Sequence, residues 1–179
     1  MNDNDNKLRE VIRGCSRNDS KSQEKLYKHF FGYALSIALR YCQQRDDALD
    51  VVNDGFLKVF SGISGYDVAR PFKPWLRKII VNTALDKARK RKVFLFAEEQ
   101  DSLQVPDESV NVPENLGAGD VLALLNRLPE MHKIVFMLYE TEGYSHDEIS
   151  DKLRIPVSSS RVYLARAKSK LRELFPLYF

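Results

Sequence analysis

The chain is poor in the residues that staple, break or anchor a fold. Its two cysteines, Cys15 and Cys42, form no Cys-x-x-Cys pair and show no metal-ligand spacing. That argues against a disulfide framework and a zinc cluster, and it suits a reduced cytoplasm. Eight glycines and seven prolines in 179 residues, mostly clustered, leave little material for turns. They point to helices with few connections, and no stretch carries a convincing strand alternation. No apolar run approaches the ~18 residues of a membrane span, and no secretory leader is read at the start. The histidines are only three, His29, His132 and His146. They are scattered and read as packing or surface residues rather than ligands. A glycine loop for phosphates, paired catalytic carboxylates in a basic cleft and a metal set are all missing. The expectation is therefore a protein that is not an enzyme, with no cofactor, no metal site and no membrane insertion, working in the cytoplasm.

What is present is helical periodicity and an uneven charge. Hydrophobic residues make up 44% of the chain, enough for packed cores, and the net charge is only +3. After a polar opening (MNDNDN) that reads as a frayed tail over 1–20, in which Leu8, Val11 and Ile12 allow a short helix, Leu26, Phe30, Tyr33, Ala34, Ile37 and Tyr41 mark one face of a helix from residue 22 to about 43. Leu49, Val52, Phe56, Val59 and Phe60 mark the next, to about residue 61, and Asp47, Asp50 and Asp54 line its outer face. An acidic helix face is most simply a solvated one, yet with aromatics at its end it suits a basic partner helix. A glycine- and proline-bearing loop, SGISGYDVARP, precedes a helix opened by Pro71 and Pro74. Between Arg70 and Lys92 nine lysines and arginines face one acid, Asp86. Basic groups among aromatics suit nucleic acid, unpaired strands included.

From 93 to 126 the pattern inverts, with seven acids and no Lys or Arg. That composition predicts a flexible acidic linker over 94–118. Asp120 is placed to cap a helix with Val121, Leu124, Leu125 and Leu128, and Pro129 opens another with Met131, Ile134, Val135 and Leu138. Then comes GYSHDEISDKLRIPVSSSRVYLARAKSKL at 143–171. Gly143 is placed to stop the preceding helix, Ser145 and Glu148 form a capping-box pair, and Pro156 breaks the chain before a second helix. That helix buries Val157, Leu164, Ala167, Leu171 and Leu174 and turns Ser158, Arg161, Val162, Ala165, Arg166 and Ser169 outward. From Lys152 to Arg172 there are seven basic residues and no acid. A capped helix, a turn and a basic amphipathic helix predict a DNA-reading helix-turn-helix, against the plainer reading of a solvated helical hairpin.

Three blocks in this order resemble one family. DDALDVVNDGFLKVF (46–60), PFKPWLRKIIVNTALDKARK (71–90) and LPEMHKIVFMLYETEGYSHDEISDKLRIPVSSSRVYLARAKSKL (128–171) are similar to the extracytoplasmic-function (ECF) sigma factors, two-domain members of the sigma-70 family of bacterial RNA polymerase sigma factors. The resemblance implies an all-α fold of two small helical domains: a region 2-like bundle over 21–93 and a region 4-like helix-turn-helix domain over 119–179. It implies binding of core RNA polymerase through Asp47, Asp50, Asn53, Asp54 and Lys58. It implies −10 recognition and melting of promoter DNA through Arg70, Lys73, Trp75, Arg77, Lys78, Asn82, Lys87 and Arg89, with the 61–70 loop taking a flipped base. It assigns −35 contacts to Ser158, Ser159, Arg161, Val162, Ala165, Arg166, Lys168 and Lys170, and an anti-sigma factor as a further partner. Two departures stand out. The family's usual Gly-Thr-Val at the start of the reading helix is Ser158, Ser159 and Ser160 here, so Ser160 on the apolar stripe must bond back to its own helix or find a partner. Arg154 stands where the turn usually has glycine, which places an arginine in a left-handed conformation. The alternative is a polymerase-independent helix-turn-helix regulator. Such a protein would need a dimerisation or ligand module in the first half, where this chain has an acidic helix and a basic aromatic segment.

Overall fold

The computed structural model describes residues 3–98 and 118–174, with side chains from 6 to 91 and from 121 to 174. Most of the stretch expected to be a linker lies outside the described residues. Helices α1 (Asp3–Ser16), α2 (Ser20–Ala38), α3 (Arg45–Gly62), α4 (Phe72–Glu98), α5 (Ala118–Leu125), α6 (Glu130–Phe136), α7 (His146–Leu153) and α8 (Val157–Leu174) follow one another, and there is no strand among the described residues. No helix among them is long and apolar enough to cross a membrane.

Met1–Leu39 and Gln44–Ala84 form one unit, and Arg40–Gln43 with Leu85–Phe179 form another. In the first, the opening that reads as a tail is a helix. Asn6, Lys7, Glu10 and Arg13 lie outward, while Ile12 and the Cys15 thiol are buried against α2. Burial raises the Cys15 pKa, with Asp19 adding to the effect. A side chain at Gly14 would run into Ser22, so only glycine allows this approach of α1 to α2. The chain then turns through Asn18 at a positive φ of 59°. Asp19 caps α2 by accepting from the Ser22 backbone N–H at 2.9 Å and the Ser22 hydroxyl at 2.6 Å. Helix α2 ends at Ala38, short of the expected residue 43. The core beneath is aromatic. Phe56 meets Tyr27 at 4.8 Å and Phe60 at 5.9 Å, and Phe72 meets Phe30 at 4.8 Å and Trp75 at 5.5 Å. Tilted and edge-on rings at such distances add to the area they bury.

In the second unit α8 packs on α6 and α7 through Leu164, Ala167 and Leu171. The α5 backbone is helical from Ala118, so Asp120 lies inside its first turn rather than at its cap, and Leu128 lies beyond its end. Helix α6 opens after Pro129 as expected and runs into a wider π turn at Met137–Thr141. Tyr41 and Cys42 are buried in this unit, where the Tyr41 hydroxyl donates to Glu142 at 2.7 Å. Lys133 was not foreseen as a core residue. It is fully buried, and its ammonium donates to the Cys42 carbonyl at 2.7 Å and to Asn126 Oδ1 at 2.6 Å. Burial lowers its pKa to about 8. The turn before α8 carries Arg154 at φ 52°, ψ 51°, the left-handed conformation read from the sequence.

Two stability measurements follow from these residues. Between pH 8 and about 10.5 the unfolded chain keeps the Lys133 proton that the folded chain has released, so folded stability rises with pH across that window and is lost as pH falls through 8. Thermal midpoints of the wild type should therefore gain on those of Lys133→Met from pH 8 to 10.5. A constant gap would show that the ammonium does not titrate there. At Arg154, a left-handed non-glycine residue costs about 1–2 kcal/mol. Arg154→Gly should raise urea-unfolding stability by about 0.5–1 kcal/mol once the greater freedom of the unfolded chain is subtracted.

Candidate functional site

The first candidate face is on α3. Its inner side is fixed by Ala48, Val51, Val52, Gly55, Phe56 and Val59, all buried. Helical period alone then sends Asp46, Asp50, Asn53, Asp54 and Lys58 to the surface. Asp47 is only half-buried, so it is the least available of the residues assigned to this face. Asp46 and Asp47 also lie in the first turn, where negative charge stabilises the helix dipole whatever else they do. Asn53 accepts a hydrogen bond from the Tyr27 hydroxyl at 3.0 Å, which fixes its amide. The sequence reading missed Leu57. It is 67% exposed, one turn on from Asn53 and Asp54, and puts an apolar side chain on the same face just past its last acid. Its place outside the buried set of α3 was the available signal.

The second candidate face spans the 61–70 loop and the start of α4. A 3-10 turn at Ile63–Gly65 buries Ile63 and leads to Tyr66. The Tyr66 ring packs on Trp75 at 4.8 Å and on Phe72 at 5.5 Å, and its hydroxyl donates to the Arg70 carbonyl. Burial, with Asp67 second, raises its pKa. Asp67 accepts from the Ala69 N–H at 2.9 Å and pairs with Arg70 at 3.5 Å. The loop is thus built on Tyr66, which the sequence reading left unassigned. Arg70, Lys73 and Lys78 are exposed, whereas Trp75, Arg77, Asn82, Lys87 and Arg89 are half-buried. Lys73 reaches over the Tyr33 ring at 5.5 Å, and Arg89 pairs with Asp86 on the same helix. Asn82 is followed by Thr83, whose buried hydroxyl donates back to the Ile79 carbonyl at 2.8 Å.

The third face is α8. Ser145 caps α7, and Glu148 returns its carboxylate to the Ser145 N–H at 2.8 Å, completing the capping box. Those bonds hold Glu148 below the usual carboxylate range. Gly143 precedes the cap at φ +74°, as its place in the sequence implied. Ser160 is fully buried and finds its partner in His146, whose Nδ1 lies 3.0 Å from the hydroxyl. His146 stacks on Tyr139 at 4.8 Å, so it serves packing. His132 lies 5.1 Å from the Tyr163 ring, and burial, then Arg166, lowers its pKa. Outward from this scaffold Ser158, Arg161, Val162, Ala165 and Arg166 are all exposed, while Ser159 is half-buried. The lysines beyond differ from them. Lys168 pairs with Glu140 at 2.6 Å and Lys170 with Glu173 at 3.3 Å. Each pair must loosen before its lysine can hold a phosphate.

Comparison with known proteins fits this geometry. The model of sigma-70 region 2 matches residues 26–93, and that of sigma-70 region 4 matches residues 118–171. The ECF RNA polymerase sigma factor SigE of Mycolicibacterium smegmatis is 30% identical over 159 residues, covering 85% of this chain and 61% of that protein. The ECF RNA polymerase sigma-E factor of Haemophilus influenzae is 26% identical, covering 90% of this chain and 91% of its own. The sigma factor RpoE of Bartonella quintana, solved with the anti-sigma factor NepR, superposes with a TM-score of 0.52 at 18% identity, over 87% of this chain and 98% of that one, a likeness of fold. With region 2 and region 4 matched in order along one chain, the protein belongs to the sigma-70 family, among its ECF sigma factors.

Proposed function

We propose that this protein is an ECF-type initiation factor that binds core RNA polymerase, recognises a promoter at two separated elements and helps melt it. The observation that carries the reading is the pairing, in one chain, of a region 2 match holding an acidic α3 face and a region 4 match holding a capped helix-turn-helix. A free-standing regulator has no use for the first half. The role is non-catalytic. Binding energy opens the duplex and no covalent chemistry is needed, so the protein works in the cytoplasm, where polymerase and DNA are.

On this reading Asp50, Asn53, Asp54 and Lys58, with Asp47 at the edge, meet a coiled coil of the polymerase's largest subunit, and exposed Leu57 supplies an apolar anchor there. The 61–70 loop with Trp75 receives an unstacked base. Arg70, Lys73, Arg77, Lys78, Lys87 and Arg89 hold phosphates, and Asn82 contributes to base choice. Arg161, Val162, Ala165 and Arg166 enter the major groove, where arginine reads guanine by paired hydrogen bonds. Ser158, Ser159, Lys168 and Lys170 position the backbone. An anti-sigma factor, which the Bartonella protein binds, would be the partner that keeps these faces covered. Residues 21–93 serve as the region 2 domain, 94–118 as the linker and 119–179 as the region 4 domain.

Two experiments test this. Double charge reversal, Asp50→Lys with Asp54→Lys, should abolish capture of core polymerase and leave binding to a −35 duplex within twofold. Unaltered capture would remove the α3 face from the interface. In transcription from a promoter library, Arg161→Ala should relax preference at one −35 position, a good base contact being worth about 1–3 kcal/mol of discrimination. Lys170→Ala should instead weaken all sequences alike and lower the salt slope by roughly 0.9. Equal, sequence-blind losses for both would show that the reading face is placed wrongly.

A further inference from the structure

The basic residues assigned to α8 are not held alike. Among the described residues, Lys168 is the one of Arg161, Arg166, Lys168 and Lys170 with an ion pair to another element. Its ammonium lies 2.6 Å from a Glu140 carboxylate oxygen and 5.8 Å from the centre of the Tyr139 ring, within cation–π range. Both partners come from the π turn at Met137–Thr141, which continues α6, and α6 packs on α8. Such turns are widened by one residue and are frequent at functional sites. Tyr139 is itself held, because it stacks on His146 at 4.8 Å and His146 Nδ1 lies 3.0 Å from the buried Ser160 hydroxyl. Lys168 is thus clasped at a spot that the π turn, α7 and α8 fix together.

Stability is not what this pair changes most. Each of its side chains keeps 37% of its surface in water, and an ion pair so exposed adds little to a fold. It does change the charge that α8 offers to a duplex. A lysine adds to duplex affinity by displacing the counterions of one phosphate. Lys168 already has a counter-charge in a carboxylate of its own unit, so it must leave one anion to take another. Lys170 differs, because its pair with Glu173 at 3.3 Å is longer, more exposed and made along α8 itself. We propose that Glu140 is an affinity-limiting residue of the −35 domain, one that occupies Lys168 and so holds down the sequence-blind part of duplex binding. Competing sites vastly outnumber a promoter, so a weaker sequence-blind grip leaves the base contacts of Arg161 and Arg166 to decide where the domain stays. The inference rests on the reading of α8 as the helix that enters the groove.

The test uses the full-length protein with a short duplex of random sequence and with a −35 library. Glu140→Gln keeps the shape of an exposed side chain, so the fold is retained. It should bind every duplex more tightly and leave base preference in the library as it is. On the random duplex it should steepen the salt slope by roughly 0.9, the value of one added phosphate contact. In a Lys168→Ala background the same substitution should change the slope no more than Asp151→Asn does, Asp151 being an exposed acid of α7. No steepening in the wild-type background would overturn the proposal. Equal steepening with and without Lys168 would overturn it too, since the lost charge would then act at large and not through the lysine. A second readout needs no base contact. A water-soluble carbodiimide should join the Glu140 carboxylate to the Lys168 amine as an amide in the free protein, and saturating random duplex should suppress that cross-link. Its absence from the free protein, or its persistence on saturating duplex, would also refute the role given to Glu140. The reading of α8 fails separately. A wild type without base preference in the library, whose Glu140→Gln variant still steepens the slope, would support the hold on Lys168 and remove α8 as the reading helix. Binding of no duplex at all would sink both.

Discussion

The first unit depends on how its aromatic rings meet. Phe30 and Phe72 join α2 to the start of α4, Tyr66 and Trp75 join the 61–70 loop to that same start, and Tyr27 and Phe56 join α2 to α3. An all-helical unit has no sheet to set the distance between its elements, so interlocked side chains must do it. Rings do this well because each has one thickness, one edge and few rotamers. The consequence is that the loop's shape, the first turn of α4 and the contact of α2 with α4 form one packing problem. A change at Phe72 would reach all three.

The second unit solves a different problem. Its last helix must present an outward face with Arg161 and Arg166 while remaining attached to a small core. Three residues of α8, Leu164, Ala167 and Leu171, face inward with Ser160, and the period of the helix exposes Ser158, Arg161, Val162, Ala165 and Arg166. Ser160 would be a costly place for a hydroxyl without His146 beside it. The price of the turn is concentrated in Arg154, whose backbone adopts the conformation that glycine adopts freely.

Local signals were the ones legible in the sequence. The Ser145–Glu148 capping box, the stop at Gly143, the Pro129 helix start and the outward set Arg161, Val162, Ala165 and Arg166 all rest on spacings of a few residues, and the structure has them, while the left-handed Arg154 was read from the glycine usual at that place in the family it resembles. Contacts between distant positions were not legible. Nothing within a turn of Lys133 announces that its ammonium will be capped by Cys42 and Asn126, and nothing near Lys168 announces Glu140. Helix α1 was legible in part, since Leu8, Val11 and Ile12 allow a short helix, while the polar opening MNDNDN reads as a frayed end and hides that the helix already begins at Asp3. Leu57 was overlooked although it lies outside the inward stripe Leu49, Val52, Phe56, Val59 and Phe60, because the outer face was read for its charges alone. The roles assigned to the faces came from the resemblance, since an acidic stripe by itself is equally a solvated surface.

The two buried thiols have a practical consequence for spectroscopy. Cys15 is fully enclosed and Cys42 nearly so, and the Cys15 thiol is held in its protonated form by burial. Alkylating reagents attack the thiolate, so both native cysteines are shielded in the folded chain. A single cysteine introduced on an exposed position such as Ser158 or Ser61 then becomes the one reactive handle without any need to remove the natural pair. Maleimide dyes can therefore be attached to the native background, and distances on this chain can be followed by energy transfer as it meets its partners.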